Sequence, residues 1–138
     1  MSWIPLAILS AFSAGLVAIF GKLGLAGVDS TLATAVRAVV MALFLLAVAA
    51  ALGKFNQLGS LSSRAITFIV LSGLAGALSW LFYFLALKLG PVTGVASLDR
   101  LSVVFAVLLA ALFLGEALTL KVVLGLLLLV AGAVLLVI

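Results

Sequence analysis

Five apolar runs, each close to the length needed to cross a bilayer, take up most of the chain's 138 residues. A hydrocarbon core about 30 Å thick needs roughly 20 apolar residues per helix, and residues 4–21, 31–52, 65–87, 93–114 and 120–138 meet that length. With 69% of residues hydrophobic and 7% charged, little is left to build a soluble domain. Backbone in lipid has to satisfy its own hydrogen bonds, which for runs of this kind means helices. The expected fold class is all-α: a polytopic membrane protein with five transmembrane helices, forming one domain over residues 1–138.

The punctuation between the runs agrees with helix ends. Trp3 suits a membrane interface, and Pro5 is tolerated in a first helical turn. Gly21, Gly24 and Gly27 are expected to loosen the backbone after the first span. Asp29 and Ser30 are N-cap types for the second span, and Gly53 is placed to close it. The stretch from Lys54 to Arg64 is the longest polar linker, and Ser62 or Ser63 caps the third span. Gly90-Pro91 stops that span, and Gly115 to Thr119 forms the last turn. The first run does not read as a cleaved signal peptide, because no basic residue precedes it and four more runs follow.

Several function classes are excluded at this level. The sequence has no cysteine and no histidine, so haem, iron–sulfur clusters and the usual zinc sites lack their ligands. No cofactor is expected. The seven basic residues are scattered and form no phosphate-tracking cluster, which argues against a nucleic-acid partner. Serine without histidine, cysteine or a carboxylate pair supplies no activated nucleophile, so the chain is not expected to be an enzyme.

The informative residues are the polar ones inside the apolar runs. Ionisable groups at membrane depth are costly, generally face a protein interior or a wet cavity, and mark functional sites. Arg37, Asp99 and Arg100 are such groups. Arg37 lies seven residues after Ser30 and Arg100 seven after Thr93, so each is roughly 10 Å below its helix start. Asp99 and Arg100 are adjacent and diverge around a helix. An Arg37–Asp99 pair would neutralise two charges and leave Arg100 to find carbonyls, water or an anionic ligand. The competing reading of each arginine is that its stem snorkels to the headgroups. Asp99 cannot reach that far; it must be paired, hydrated or protonated, and the last option bears on proton coupling.

The third span carries Ser72, Gly76, Ser79 and Tyr83 on one face, with Trp80 at its edge. Small residues allow close helix approach, while hydroxyl and aromatic edges suit a cavity lining. Packing explains Ser72 and Gly76; Ser79, Trp80 and Tyr83 are candidates for a solute wall. In the last span, Gly125 and Gly132 are placed to seat another helix. Basic residues are almost balanced between the two faces, so orientation is weakly specified. Either one orientation is slightly favoured, or the chain inserts both ways and pairs with an inverted copy of itself.

The runs Leu78-Ser79-Trp80-Leu81-Phe82-Tyr83-Phe84-Leu85-Ala86-Leu87-Lys88-Leu89-Gly90, Val95-Ala96-Ser97-Leu98-Asp99-Arg100-Leu101-Ser102-Val103-Val104 and Phe113-Leu114-Gly115-Glu116-Ala117-Leu118-Thr119 resemble an EamA-type domain, over essentially the whole chain. More narrowly, the chain resembles the five-span Bacterial/Archaeal Transporter family of the drug/metabolite transporter superfamily. That resemblance implies a single-repeat helical unit whose ten-span relatives contain two inverted copies and move metabolites by alternating access. Small multidrug-resistance relatives carry a first-span glutamate for cation exchange, and here that span has no carboxylate.

The resulting expectation is a multi-pass protein of a bacterial inner or archaeal cell membrane, working as a homodimer, antiparallel in preference to parallel. It would transport a small polar solute, anionic or zwitterionic, held near Arg100. Arg37 and Asp99 would set the local charge, with Ser79, Trp80 and Tyr83 on the wall. The alternatives are a proton-coupled exporter of cations centred on Asp99, and a non-transporting subunit of a larger membrane complex.

Overall fold

Helix ends in this chain form where side chains can satisfy the orphan backbone groups of the terminal turns. The computed structural model describes residues 2–138, and its regular elements are helical. The α-helices are α1 (Trp3–Gly24), α2 (Ser30–Ala51), α3 (Ser63–Leu89), α4 (Val92–Asp99), α5 (Ser102–Leu114) and α6 (Leu120–Leu135), with a 3-10 turn at Lys54–Ser60. Four stretches, Trp3–Gly24, Ser30–Ala51, Ser63–Leu89 and Val92–Leu114, are long and apolar enough to cross a membrane. The fifth, α6, is apolar but only 16 residues long, about 24 Å at 1.5 Å per residue. The protein is all-α, and its fold is that of a polytopic membrane protein.

The capping chemistry follows the sequence closely. The Asp29 carboxylate accepts from the backbone N–H groups of Thr31 and Leu32 at 2.9 and 3.0 Å, which starts α2. Ser62 Oγ accepts from the Ala65 N–H at 3.2 Å, and Thr119 Oγ1 from the Val122 N–H at 3.3 Å. Gly53 and Gly115 take left-handed conformations, φ 62° and 71°, just past α2 and α5, where a side chain would be strained.

Two features depart from the sequence reading. Gly21 and Gly24 do not loosen α1; the helix runs through both, and only Gly27 turns left-handed, at φ 74°. The fourth apolar run is not one helix. The N–H groups of Arg100 and Leu101 bond three residues back, to Ser97 and Leu98, and those of Val103 and Val104 bond to Arg100 and Leu101. This 3-10 tightening separates α4 from α5. No proline or glycine lies there; the local sequence is Ser97-Leu98-Asp99-Arg100-Leu101-Ser102. Ser97 Oγ donates back to the Thr93 carbonyl at 2.6 Å, a contact that bends helices.

The chain divides into two compact units: Gly21–Lys88, and the stretch up to Phe20 together with Leu89–Ile138. In the first, Leu25, Phe84 and Leu87 are buried. Gly21 lets the Phe84 ring approach closely, since a Cβ there would meet Phe84 Cζ at 3.2 Å and Leu87 Cδ1 at 3.4 Å. Two lysines then close the same end: Lys22 Nζ donates to the Leu87 carbonyl, and Lys88 Nζ donates to the Val28 carbonyl at 3.0 Å. In the second unit, α4 packs on α6, and Gly94 and Ala133 are buried. Most large apolar side chains in both units face outward, as expected where lipid or another chain is the surrounding medium.

Candidate functional site

Arg37 projects from α2 towards α3, and its guanidinium lies over the Trp80 ring, 3.4 Å from the centroid. The Phe84 ring is 5.3 Å from the same carbon. Trp80 is held in turn by Tyr83, edge-on at 5.5 Å and 79°, and by Phe84 at 5.9 Å. Stacking on an indole face is worth about 2 kcal/mol when the cation is desolvated. It also fixes the plane of a long side chain that would otherwise sample many rotamers. Arg37 is half-buried, so part of the group stays accessible.

A groove of about 920 Å³ runs along α2 and α3 at this point, lined by Thr31, Thr34, Arg37, Ala38, Met41, Ala42 and Leu45 on one side and Gly73, Leu74, Gly76, Ala77 and Trp80 on the other, among others. It exists because the facing residues are small: alanines on α2, glycines and an alanine on α3. A Cβ added to Gly73 or Gly76 would meet nothing within 4 Å. Among the described residues lining the groove, none is acidic. Asp29 is the one acidic residue between Gly21 and Lys88, and it caps α2 about 12 Å along the axis from Arg37. Its carboxyl is held below the ordinary aspartate range, chiefly by the Leu32 N–H, with help from Thr31 and Lys88 against some desolvation. Within its unit, then, the Arg37 charge has no carboxylate beside it.

The other unit holds a smaller groove of about 550 Å³, lined by Ile19, Thr93, Ala96, Ser97, Arg100, Leu129 and Ala133 among others. Arg100 is exposed at the break between α4 and α5, and Asp99, half-buried, closes α4. The six residues singled out from the sequence therefore fall in two places. Arg37, Trp80 and Tyr83 cluster in one unit; Asp99 and Arg100 sit at the helix break in the other. Ser79 is exposed and, like Tyr83, does not line the larger groove. Of the lining, the sequence reading singles out only Arg37 and Trp80 for a site, and Gly76 for packing; Ala38, Met41, Gly73 and Ala77 are among those it misses. The spacing Ala35, Ala38, Ala42 on α2 and Gly73, Gly76, Ala77, Trp80 on α3 carries that signal. Among the described residues, no three His, Cys, Asp or Glu side chains gather where they could hold a metal ion.

The chain matches the model of the EamA-like transporter family over residues 1–138. A protein from Sinorhizobium sp., described as an uncharacterized transporter in the cobO 3′ region, is 45% identical over 135 residues, covering 98% of this chain and 96% of that one. No solved structure matches the chain. Membrane-length apolar helices, charged groups within them and a match that takes in every residue lead to one assignment: the chain belongs to the EamA-like transporter family, as a multi-pass membrane transporter and not an enzyme.

Proposed function

We propose that the chain moves a small anionic or zwitterionic metabolite across a bacterial inner or archaeal cell membrane by alternating access, with five crossings per chain and two chains, antiparallel, per transporter. The observation that carries this reading is the Arg37 guanidinium. It is stacked on Trp80 at membrane depth and open to a groove whose described lining holds no acid. A fixed, unneutralised cation in an apolar setting is a strong attractor for a carboxylate, because little water competes with the charge-assisted hydrogen bonds. Arg100 at the helix break is the second cationic position, and Asp99 tunes the charge beside it. Two chains are proposed because one five-span unit is too small to enclose a pathway on its own.

Uptake of a mixed pool of labelled anions and zwitterions into proteoliposomes tests the reading. Removing one partner of a desolvated charge pair typically costs 2–5 kcal/mol. Arg37→Gln is therefore expected to lower uptake by at least about thirtyfold while the protein stays folded, with Arg37→Lys intermediate because it keeps charge and loses the planar stack. Wild-type uptake retained in Arg37→Gln would contradict the proposal.

A further inference from the structure

The larger groove changes character along its length. At Arg37 and Trp80 it is charged and aromatic; at Leu45, with Gly73 and Leu74 opposite, only hydrocarbon lines it. The eight-residue step from Arg37 to Leu45 corresponds to about 12 Å of apolar wall. The two remaining polar residues of the lining already spend their protons. Thr34 Oγ1 donates to the Ser30 carbonyl at 2.7 Å, and the Thr31 side chain bonds to the Asp29 carboxylate. The groove thus offers one fixed cation, one aromatic face with a single indole N–H, and a hydrocarbon wall.

We infer that this groove takes an organic monoanion with an apolar body, such as an aryl or short aliphatic carboxylate. The inference rests on the proposed transport of an anion or zwitterion and narrows it. A second negative charge on the solute would meet no second cation, and burying it unpaired is costly. An ammonium group would find no acid in the described lining and would be repelled by Arg37. A hydroxylated body would lose its hydrogen bonds to water and regain few in the groove. A hydrocarbon or aromatic body gains by leaving water along the Met41 and Leu74 wall. The volume, about 920 Å³, is of the size that binds single small molecules, roughly 300–1,000 Å³.

Trp80 is a built-in reporter. The chain has two tryptophans, and Trp3, 75% exposed near the N-terminus, can be replaced by Phe to leave Trp80 alone. This protein, in phosphatidylcholine nanodiscs, is titrated with phenylpropionate, the neutral amide of that acid, succinate, gluconate, glycine betaine, and straight-chain carboxylates from acetate to hexanoate. Phenylpropionate is expected to change Trp80 emission saturably and its amide not. Affinity should rise along the aliphatic series by about fourfold per methylene, the equivalent of about 0.8 kcal/mol per buried CH₂. Arg37→Gln should weaken phenylpropionate at least tenfold. Gly76→Leu should weaken hexanoate at least tenfold and leave acetate unchanged, because the added side chain fills the apolar space and not the charged end.

An amide that acts like the acid would reveal partition into the bilayer only and overturn the inference. Oleate in the same discs is expected to give no saturable change; a saturable one would make the occupant a membrane lipid and overturn it as well. Arg37-dependent binding of gluconate, succinate or betaine in place of phenylpropionate would sink this inference while leaving the broader transport reading standing. No Arg37-dependent response to any anion or zwitterion would remove both.

Discussion

Where α3 ends and α2 begins, the chain closes on itself: Phe84 and Leu87 pack against the bare backbone of Gly21, and Lys22 and Lys88 tie down carbonyls at the same end. Along the middle of these two helices the opposite holds, and Gly73 and Gly76 face open space in the groove that Arg37 also lines. Both regions use glycine and a long basic side chain. In the first, glycine admits a neighbouring side chain and the lysines satisfy orphan carbonyls near helix ends, which stabilises the fold. In the second, glycine leaves a void and the arginine is held by an aromatic face with no carboxylate nearby in its unit, which suits a ligand. Residue type alone does not separate the two roles; what fills the space next to it does.

The sharpest way to break this contrast is at the groove's cation, where Arg37→Gln is expected to lose at least about thirtyfold in uptake. Next in size is a matched pair of glycine substitutions. Gly21→Leu should overpack against Phe84 and Leu87 and lower stability by about 1–3 kcal/mol, read as an earlier thermal unfolding transition of the detergent-solubilised protein. Gly76→Leu should leave that transition unchanged or slightly higher, since leucine is the better helix former by somewhat under 1 kcal/mol. Equal destabilisation by the two would show that the groove is packed after all.

A smaller effect concerns the closed end. Leu32 and Thr31 N–H groups and the Lys88 ammonium keep the Asp29 carboxyl below its ordinary range. A carboxyl that is more acidic folded than unfolded contributes its stability above the unfolded pKa. That contribution declines as pH falls through the folded value. Wild-type protein should therefore lose thermal stability relative to Asp29→Asn as the medium is acidified below the ordinary aspartate range, and the difference should be flat towards neutral pH. A difference that grows with rising pH near neutrality would contradict this assignment.

Much of the fold could be read directly, because its signals are local. The Asp29 and Ser62 caps and the closing Gly53 are short-range chemistry, and so is the turn from Gly115 to Thr119, although the sequence reading does not include the cap that Thr119 supplies. The break at Arg100 and Leu101 was not legible, since neither Pro nor Gly marks it and the tightening comes from bonds three residues back. Gly21 is a packing point and not a loosening one, and local patterning does not reveal this because its partner, Phe84, lies more than sixty residues away in sequence. The six polar positions were visible as exceptions in apolar runs. Their grouping was not: that Arg37 stacks on Trp80 depends on the register between α2 and α3, which periodicity within a single helix does not specify. The serine stripe drew attention to Ser79, whereas the groove follows the neighbouring face of α3, through Gly73, Gly76 and Trp80.

The central claim is that the space beside Arg37 is open to solute and not filled by lipid chains. The chain has no cysteine, so single cysteines can be placed at Ala38, which lines the groove, and at Val39, which is 58% exposed and lies outside the lining. A membrane-impermeant thiol reagent, which needs a hydrated thiolate, is predicted to label Ala38→Cys and not Val39→Cys, and saturating phenylpropionate to protect the first. No labelling at position 38, or equal labelling at both, would contradict the account.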